Sequence, residues 1–190
     1  MLRLLSLLSL ALVVAACDAS GPDALVPQAS FDAEVRGAFS RSVQGDAVED
    51  AYSGVGAVVD LDLNVPDDAL MVLRLESDET ADAFYIIGTM GDGLTPGTYP
   101  IRRAGFPEFD SSESRFVALY RYDGPDDEVG VALSTSGTLT ISEVSEGEVA
   151  GSFRFSALIF DADVKNLDAE PDLEVEGEFR ADVLRRTAGE

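Results

Sequence analysis

The sequence predicts an all-β domain, an antiparallel β-barrel or β-sandwich of about ten strands, with no major helix after an N-terminal signal. Three observations predict this fold class. From Ser30 onward, apolar and polar residues alternate over short segments. Turn-forming stretches such as SDETAD and GDG separate these segments. The phrase Glu-Val-x-Gly-x-Phe recurs at 34–39, 148–153 and 174–179, and its period of two is typical of a strand.

The strand segments follow one another along the chain with short connections. Segment 94–101 contains prolines, which cannot donate to a ladder, so we expect it at an edge. Segments 116–122 and 129–134 flank the turn GPDDE and predict a hairpin. The pattern leaves the choice between sandwich and barrel open. The predicted strands are 31–39, 45–52, 55–63, 69–76, 84–89, 94–101, 116–122, 129–134, 137–144, 149–160 and 173–184.

The repeated phrase describes a strand with one buried face and one wet face. In its last copy, Val175, Gly177 and Phe179 share a face, while Glu174 and Glu176 point the other way. A glycine inside a strand costs about 0.5–1 kcal/mol relative to alanine. We therefore expect the glycine to leave room for a neighbouring aromatic ring, or to allow sharp coiling of the sheet.

The first copy of the phrase lies far from the other two along the chain. If strand 31–39 pairs with strand 173–183, the first strand meets the last and the sheet closes, which would favour a barrel. This is a hypothesis, and two strands in separate sheets would contradict it. The phrase itself is interpreted as core packing rather than as a ligand groove.

The N-terminus has the features of a bacterial lipoprotein signal. Arg3 precedes an apolar run of about ten residues, which is too short to span a bilayer. Small residues then precede Cys17, as in a lipobox, where the thiol is lipidated and the chain is cut before it. We expect a signal peptide at 1–16, a lipidated Cys17 with a flexible tether at 17–29, and an all-β domain at 30–187.

Cysteine usage agrees with this interpretation. Cys17 is the only cysteine in the chain, and a lone thiol in an exported protein is a liability unless something consumes it. Two or three acyl chains would anchor the protein firmly to a membrane. The sequence thus predicts a lipid-anchored protein of the cell envelope. The outer membrane or cell surface is favoured over the inner membrane, and the choice of membrane stays open. An ordinary signal peptide is the alternative.

The chain is strongly acidic. It has 36 acidic and 13 basic side chains, a formal net charge of −23. Such a field repels phosphate backbones, so nucleic-acid binding is excluded. It also repels anionic lipid headgroups, so the lipid would have to supply the attachment to the membrane. Three explanations remain open: a solvated surface, adaptation to a saline habitat, or calcium binding.

The chain lacks the residues that most common catalytic sites require. The chain has no histidine, which removes Ser-His and Cys-His sites and the common zinc, copper and iron ligand sets. No glycine-rich phosphate loop follows a strand and opens a helix. We therefore predict no enzymatic activity, no catalytic residues and no cofactor.

Calcium is the one cofactor for which the sequence offers candidate ligands. Calcium prefers several carboxylate and carbonyl oxygens from a flexible loop. Neither acidic loop has EF-hand spacing, so solvated turn acids are the favoured interpretation. The weak candidates are Asp123, Asp126, Asp127 and Glu128 in one loop, and Asp161 and Asp163, with Asp168 and Glu170, in the other.

One irregular stretch, RRAGFPEF, is unusual for an acidic protein. It places Arg102 and Arg103 beside Phe106 and Phe109. These residues are candidates for contact with an anionic or aromatic partner. The alternative is that the phenylalanines anchor the loop and the arginines pair with local acids.

The lipobox together with GTYPI, SGTLTI, VAGSFRFSA and VEGEFRA resembles uncharacterised single-domain all-β lipoproteins of Bacteroidota and related marine or halophilic bacteria. The resemblance implies an all-β fold and an envelope location. It implies no activity and no catalytic residues.

Together these observations predict a membrane-anchored lipoprotein that acts as a non-enzymatic binding or structural module. Its expected partners are the membrane, through the lipid on Cys17, and an envelope protein or a glycan. Two alternatives stay open. One is a β-barrel carrier of a small apolar ligand. The other is a carbohydrate-binding protein or carboxylate-dependent glycan hydrolase.

Overall fold

The protein is all-β, as predicted. The computed structural model describes residues 29–46, 56–62, 69–90, 94–104, 115–124, 128–160 and 169–186, and within these ranges it contains ten strands and no helix. The strands are β1 (Ser30–Gly37), β2 (Arg41–Asp46), β3 (Gly56–Asp62), β4 (Ala69–Glu76), β5 (Ala83–Met90), β6 (Gly97–Arg102), β7 (Arg115–Asp123), β8 (Val129–Val144), β9 (Glu148–Ile159) and β10 (Leu173–Arg186).

The strands form one sheet whose hydrogen-bonded ladders run in a ring. From β3 the ladders lead through β4, β5, β7, β8 and β9 to β10. The C-terminal part of β10 then pairs with β3 again. This barrel-like arrangement follows from short connections between sequential strands, which favour neighbours in the sheet.

Two elements lie beside this ring. The β1–β2 hairpin pairs with the N-terminal part of β10 along the edge that β3 uses further on. Strand β6 pairs over five residues with β8 and over only two with β7. The expected edge position is therefore only partly correct, because β6 lies between β7 and β8. Residues 97–100, which include Pro100 with no N–H to donate, pair on one side alone.

The predicted pairing of the first and last strands is confirmed, but its expected consequence is wrong. Strand β1 runs antiparallel to β10, with Val35 opposite Val175. The ring, however, is completed by the ladder between β10 and β3. That ladder is possible because β10 has 14 residues and extends past Ser30, the first residue of β1, which lies opposite Arg180.

The sheet differs from the prediction in three further respects. It is mixed rather than purely antiparallel, since β10–β3 and β6–β7 are parallel pairs. The predicted strands 129–134 and 137–144 form one strand, β8, in which the register shifts between Ser134 and Ser136. Such a bulge bends a strand without ending it, so the two predicted segments are continuous. Finally, β2 begins at Arg41, four residues earlier than expected.

The repeated phrase has the predicted facing in β9 and β10. Val175 and Phe179 are buried and Glu174 and Glu178 are exposed. In the β9–β10 ladder, each glycine lies opposite the phenylalanine of the other copy. Gly151 is paired with Phe179, and Gly177 is paired with Phe153.

This exchange explains why the phrase needs glycine. A Cβ on Gly177 would lie 2.7 Å from Phe153 Cζ and 2.6 Å from the carbonyl oxygen of Asp32. A Cβ on Gly151 would overlap the carbonyl oxygen of Thr140 and lie 3.1 Å from Phe179 Cζ. The rings therefore occupy the space that the missing side chains leave, as predicted.

The first copy departs from this pattern. Gly37 does not face the core but ends β1 with φ at 127°, a conformation that side chains rarely adopt. The next residue, Ala38, donates its N–H to the carbonyl oxygen of Asp172 (2.9 Å). Gly37 thus turns the chain toward β2. The glycine of the phrase therefore has one role in β1, where it allows a turn, and another in β9 and β10, where it makes room for a ring.

Candidate functional site

Aromatic side chains fill the inside of the ring. Phe84 stacks on Tyr120, with 4.6 Å between ring centroids, and lies edge-on to Phe31 (6.0 Å). Phe153 lies between Phe84 and Phe179. These rings are buried together with the inward-facing aliphatic residues of the neighbouring strands. Within the described part of the chain, the inside of the ring is therefore a packed core, and binding chemistry must be sought on its outer surfaces.

A buried polar cluster lies where the β4–β5 turn meets β2 and β7. Asp82 is 1% exposed. It accepts hydrogen bonds from Arg41 Nη1 (2.8 and 3.0 Å), the Thr80 hydroxyl (2.7 Å) and the Tyr120 hydroxyl (2.6 Å). Arg41 also donates to the carbonyl oxygen of Asp123 (3.1 Å). A buried carboxylate is tolerated only when it is paired in this way.

The protonation states of this cluster follow from its burial and charge. Burial and the hydrogen bond to Asp82 raise the pKa of Tyr120 well above its ordinary value, so the phenol stays a donor. Burial alone would lower the pKa of Arg41, but the hydrogen bond and negative charge of Asp82 raise it. The cluster ties the β1–β2 hairpin to the ring and exposes no reactive group.

A second polar cluster lies on the outer surface of β4 and β5. Glu76 accepts hydrogen bonds from Arg74 Nη2 (2.9 Å) and from the Tyr85 hydroxyl. Burial alone would raise the pKa of Glu76, but these two donors lower it below its ordinary value. Tyr85 shows the reciprocal effect, since burial and the hydrogen bond to Glu76 raise its pKa.

The first candidate surface is a polar groove on the outside of β1, β10, β9 and the C-terminal half of β8. Two adjoining concavities of about 670 and 410 Å³ form it, and both are lined by Asp32, Ser152 and Glu178. Further polar lining comes from Ser30, Glu34, Gln44, Thr138, Ser142, Arg154, Glu176 and Arg180. The groove offers hydroxyls, carboxylates and guanidinium groups.

Like charges face one another in this groove. Asp32 lies directly opposite Glu178, and Glu34 lies opposite Glu176. Arg36 Nη1 forms an ion pair with Glu176 (2.6 Å). Directly opposed like charges destabilise a sheet, so this part of the groove is stabilised by other interactions, namely the ladder and the core beneath it.

The second candidate surface, which we call the apolar face, lies on the outside of β4, β5, β7 and the N-terminal half of β8. The strand register places its side chains side by side: Val72 next to Ile87, Ile87 next to Val117, and Leu119 next to Leu133. Their inward neighbours are the buried core residues, so these side chains point outward. The apolar face comprises Val72, Ile87, Val117, Leu119, Val129, Val131, Leu133 and Phe160.

The predicted contact residues Arg102 and Arg103 border the apolar face. Arg102 is exposed and pairs with Val117 at the end of β6. Arg103 lines a narrow crevice with Leu133, Leu158 and Phe160. The other two predicted residues, Phe106 and Phe109, lie outside the described residues. The structure thus places the two arginines beside apolar side chains from strands that are distant in sequence.

The calcium candidates are only partly within the described residues. Asp123 and Glu128 are exposed at the β7–β8 connection, where the Gly124 N–H donates to the Glu128 carbonyl (2.6 Å). Glu170 is also exposed. Over the ranges that the structure covers, no three acidic or cysteine side chains are grouped to hold a metal ion. Asp126, Asp127, Asp161, Asp163 and Asp168 lie outside these ranges.

The predicted signal peptide and Cys17 also lie outside the described residues. Ala29, the last residue of the predicted tether, is buried just before β1. The described part of the chain contains no helix that is long and apolar enough to cross a membrane.

Sequence reasoning missed both outer surfaces and the Asp82 cluster. Asp82 was read as part of a polar turn, and only its burial reveals its role. A signal for the apolar face was present in ALMVL, FYII and FVALY, where both strand faces are apolar.

No protein-family model, curated protein or solved structure matches the chain.

Proposed function

We propose that this chain is a lipid-anchored, non-enzymatic binding or structural module of the cell envelope. The observation that carries the binding role is the contrast between a packed interior and two extensive, chemically different outer surfaces. A packed interior favours contacts through the outer wall over transport of an apolar ligand inside the ring. The resemblance to envelope lipoproteins and the small residues before Cys17 support the anchor.

The anchor is tested by metabolic labelling with palmitate and by mass spectrometry of the N-terminus. We expect the wild-type chain to lose residues 1–16 and to carry label at Cys17. The Cys17→Ser variant should retain residues 1–16 and take up no label, whereas Ser20→Ala should behave as the wild type. Equal labelling of Cys17→Ser and wild type would contradict lipidation at Cys17.

The polar groove favours a second candidate function, the binding of a glycan. Hydroxyl and carboxylate groups such as those of Ser152 and Glu178 can exchange hydrogen bonds with sugar hydroxyls. Asp32 and Glu178 are both exposed, whereas a glycosidase holds its carboxylates in a cleft around the scissile bond. The arrangement therefore favours binding over hydrolysis.

A glycan array with the full chain tests this second function. We expect binding of at least one polysaccharide, and loss of that binding in Ser152→Trp, which fills the groove. The control is Ser136→Trp, an exposed position outside the groove lining. Absence of binding, or binding that Ser152→Trp leaves unchanged, would overturn the glycan proposal.

A further inference from the structure

We propose that two copies of this chain form a two-fold symmetric dimer through the apolar face. The proposal names a second copy as a partner of the binding module proposed above, and it does not depend on the lipid anchor. It rests on three features of the described residues. The apolar face has an apolar centre, its border carries exposed apolar side chains, and its two ends carry opposite charges.

The centre of the face is an apolar surface across neighbouring strands, bordered on β5 by Tyr85, which lies opposite Leu119. Leu119 on β7 lies next to Leu133 on β8, and Val117 lies next to Ile87 on β5. Outward-facing positions in a sheet exposed to water are ordinarily polar, as they are in the groove on the other side of the ring. A sheet that is apolar on both faces ordinarily packs against something on both.

The border of the face carries unusually exposed apolar side chains. Val129 is 63% exposed and Phe160 is 52% exposed, and they are the large hydrophobic residues assigned as exposed in the described part of the chain. Both lie beside Val131: Val129 is two residues earlier on β8, and the Phe160 N–H donates to the Val131 carbonyl (2.7 Å). Exposed apolar surface is thus concentrated on this side.

The two ends of the face carry opposite charge. At the start of β7, the exposed Arg102 forms a basic end, since it pairs with Val117. The acidic end is at the other end of β7, where the basic neighbours Arg41 and Arg121 are engaged with Asp82 and the Ala81 carbonyl. The exposed acids of this end are Asp78, Glu79, Asp123 and Glu128.

A two-fold axis that lies in the plane of the contact, over Leu119 and diagonal to the strands, makes this surface complementary to itself. The apolar centre of one copy covers that of the other. Arg102 of each copy then faces the β4–β5 turn of its partner, which carries Asp78 and Glu79. An isologous contact of this kind uses the same patch twice and closes at two copies.

Other occupants fit the surface less well. The acidic end would be repelled by anionic lipid headgroups, which disfavours a membrane surface. A glycan would leave the aliphatic centre without an apolar partner. A second copy satisfies the apolar centre and both charged ends at once.

Chemical cross-linking in intact cells tests the dimer directly. The full chain carries Cys17→Ser, so that an introduced cysteine is its only thiol, and a short, cell-permeable bis-maleimide is the probe. We expect Leu119→Cys to give a cross-linked dimer. Ser152→Cys, in the polar groove on the far side of the ring, should remain monomeric. Failure of Leu119→Cys to cross-link, or equal cross-linking of both variants, would overturn the proposal.

A charge reversal tests the predicted geometry in the same Leu119→Cys chain. We expect Arg102→Glu to reduce the cross-linked fraction by about tenfold, because symmetry repeats the lost pair. Adding Glu79→Arg should restore it. Arg154→Glu, an exposed arginine of the polar groove, is the matched control and should have no effect. A reduction by Arg154→Glu as large as that by Arg102→Glu would contradict the pairing.

Discussion

The polar groove and the apolar face lie on the same sheet but differ in the pattern of their outward residues and in the contacts that join their strands. On the groove side, β1, β10 and the middle of β9 alternate between buried and outward residues, and glycines opposite phenylalanines bring β9 and β10 close together. On the apolar side, β5 and β7 have apolar residues on both faces, and a buried ion pair near their ends joins them to β2. The core beneath both sides is continuous.

This difference indicates that inward-facing and outward-facing residues are under separate structural constraints. Inward residues are chosen to fill one shared core, whichever strand carries them. Outward residues are not constrained by the core. Outward positions that are apolar instead of polar therefore indicate a surface that contacts another molecule. The apolar face is such a surface, because no packing need of the described core explains it.

The largest expected effect concerns the ion pair at the acidic end of the apolar face. Asp82→Ala removes the partner of the part-buried Arg41 and of Tyr120, and should lower the free energy of unfolding by about 3–5 kcal/mol. Chemical denaturation followed by circular dichroism measures this change. The control Asp123→Ala, at an exposed position, should change the free energy by less than about 0.5 kcal/mol. Equal effects would mean that the buried cluster does not hold this side together.

The next effect concerns the glycines of the groove side. Gly151→Ala places a Cβ against the Thr140 carbonyl and the Phe179 ring, and should destabilise the fold by about 1–3 kcal/mol. Gly147→Ala is the matched control, since a Cβ there meets nothing within 4 Å. Thermal unfolding of the two variants compares them. A Gly151→Ala variant as stable as Gly147→Ala would disprove the close approach.

Acid should act selectively through Glu76 on the apolar side. Its pKa is lower in the folded than in the unfolded chain, so its stabilising contribution is present above its ordinary value of 4.5. The contribution is lost as the pH falls through the folded-state pKa, because the unfolded chain takes up the proton first. We expect the stability difference between wild type and Glu76→Gln to shrink from pH 7 to pH 3. A difference independent of pH would contradict this assignment, and Glu146→Gln, in an exposed turn, serves as control.

The smallest effect concerns like charges in the groove. Glu178→Lys replaces the repulsion from Asp32 by attraction, and should stabilise the fold by about 0.5 kcal/mol at low salt. Because about 1 M salt screens exposed charges, the gain should nearly disappear there. Melting temperatures in both buffers, with Glu146→Lys as control, measure it. A gain that persists at high salt would point to packing instead of charge.

The strands of the groove side were largely predictable from the sequence, although the groove itself was not. The phrase Glu-Val-x-Gly-x-Phe specified facing residues correctly in β9 and β10, and the pairing of β1 with β10 followed from its repetition. Alternation is a local property, so it can be read along the chain. The phrase predicted that Gly37 faces the core. This was wrong, because the positive φ of Gly37, which the residue pattern does not predict, ends the strand there.

The apolar side was not predictable in the same way. Leu119 and Leu133 become neighbours only through the β7–β8 register, and Ile87 and Val117 only through β5–β7. The burial of Asp82 likewise depends on Arg41 arriving from β2, 41 positions away in sequence. Pairing between strands that are distant in sequence determines which outward residues share a surface. The local periodicity of the sequence does not predict that pairing.

Sedimentation velocity of the purified chain over a range of concentrations tests most directly whether the two outer faces have different roles. Leu119→Glu and Ser152→Glu add the same charge to opposite sides of the ring. We predict that Ser152→Glu forms dimers as the wild type does, while Leu119→Glu weakens dimerisation by about a hundredfold, because a charge would be buried in the contact. Identical sedimentation of the two variants, or a wild-type chain that stays monomeric, would contradict the account.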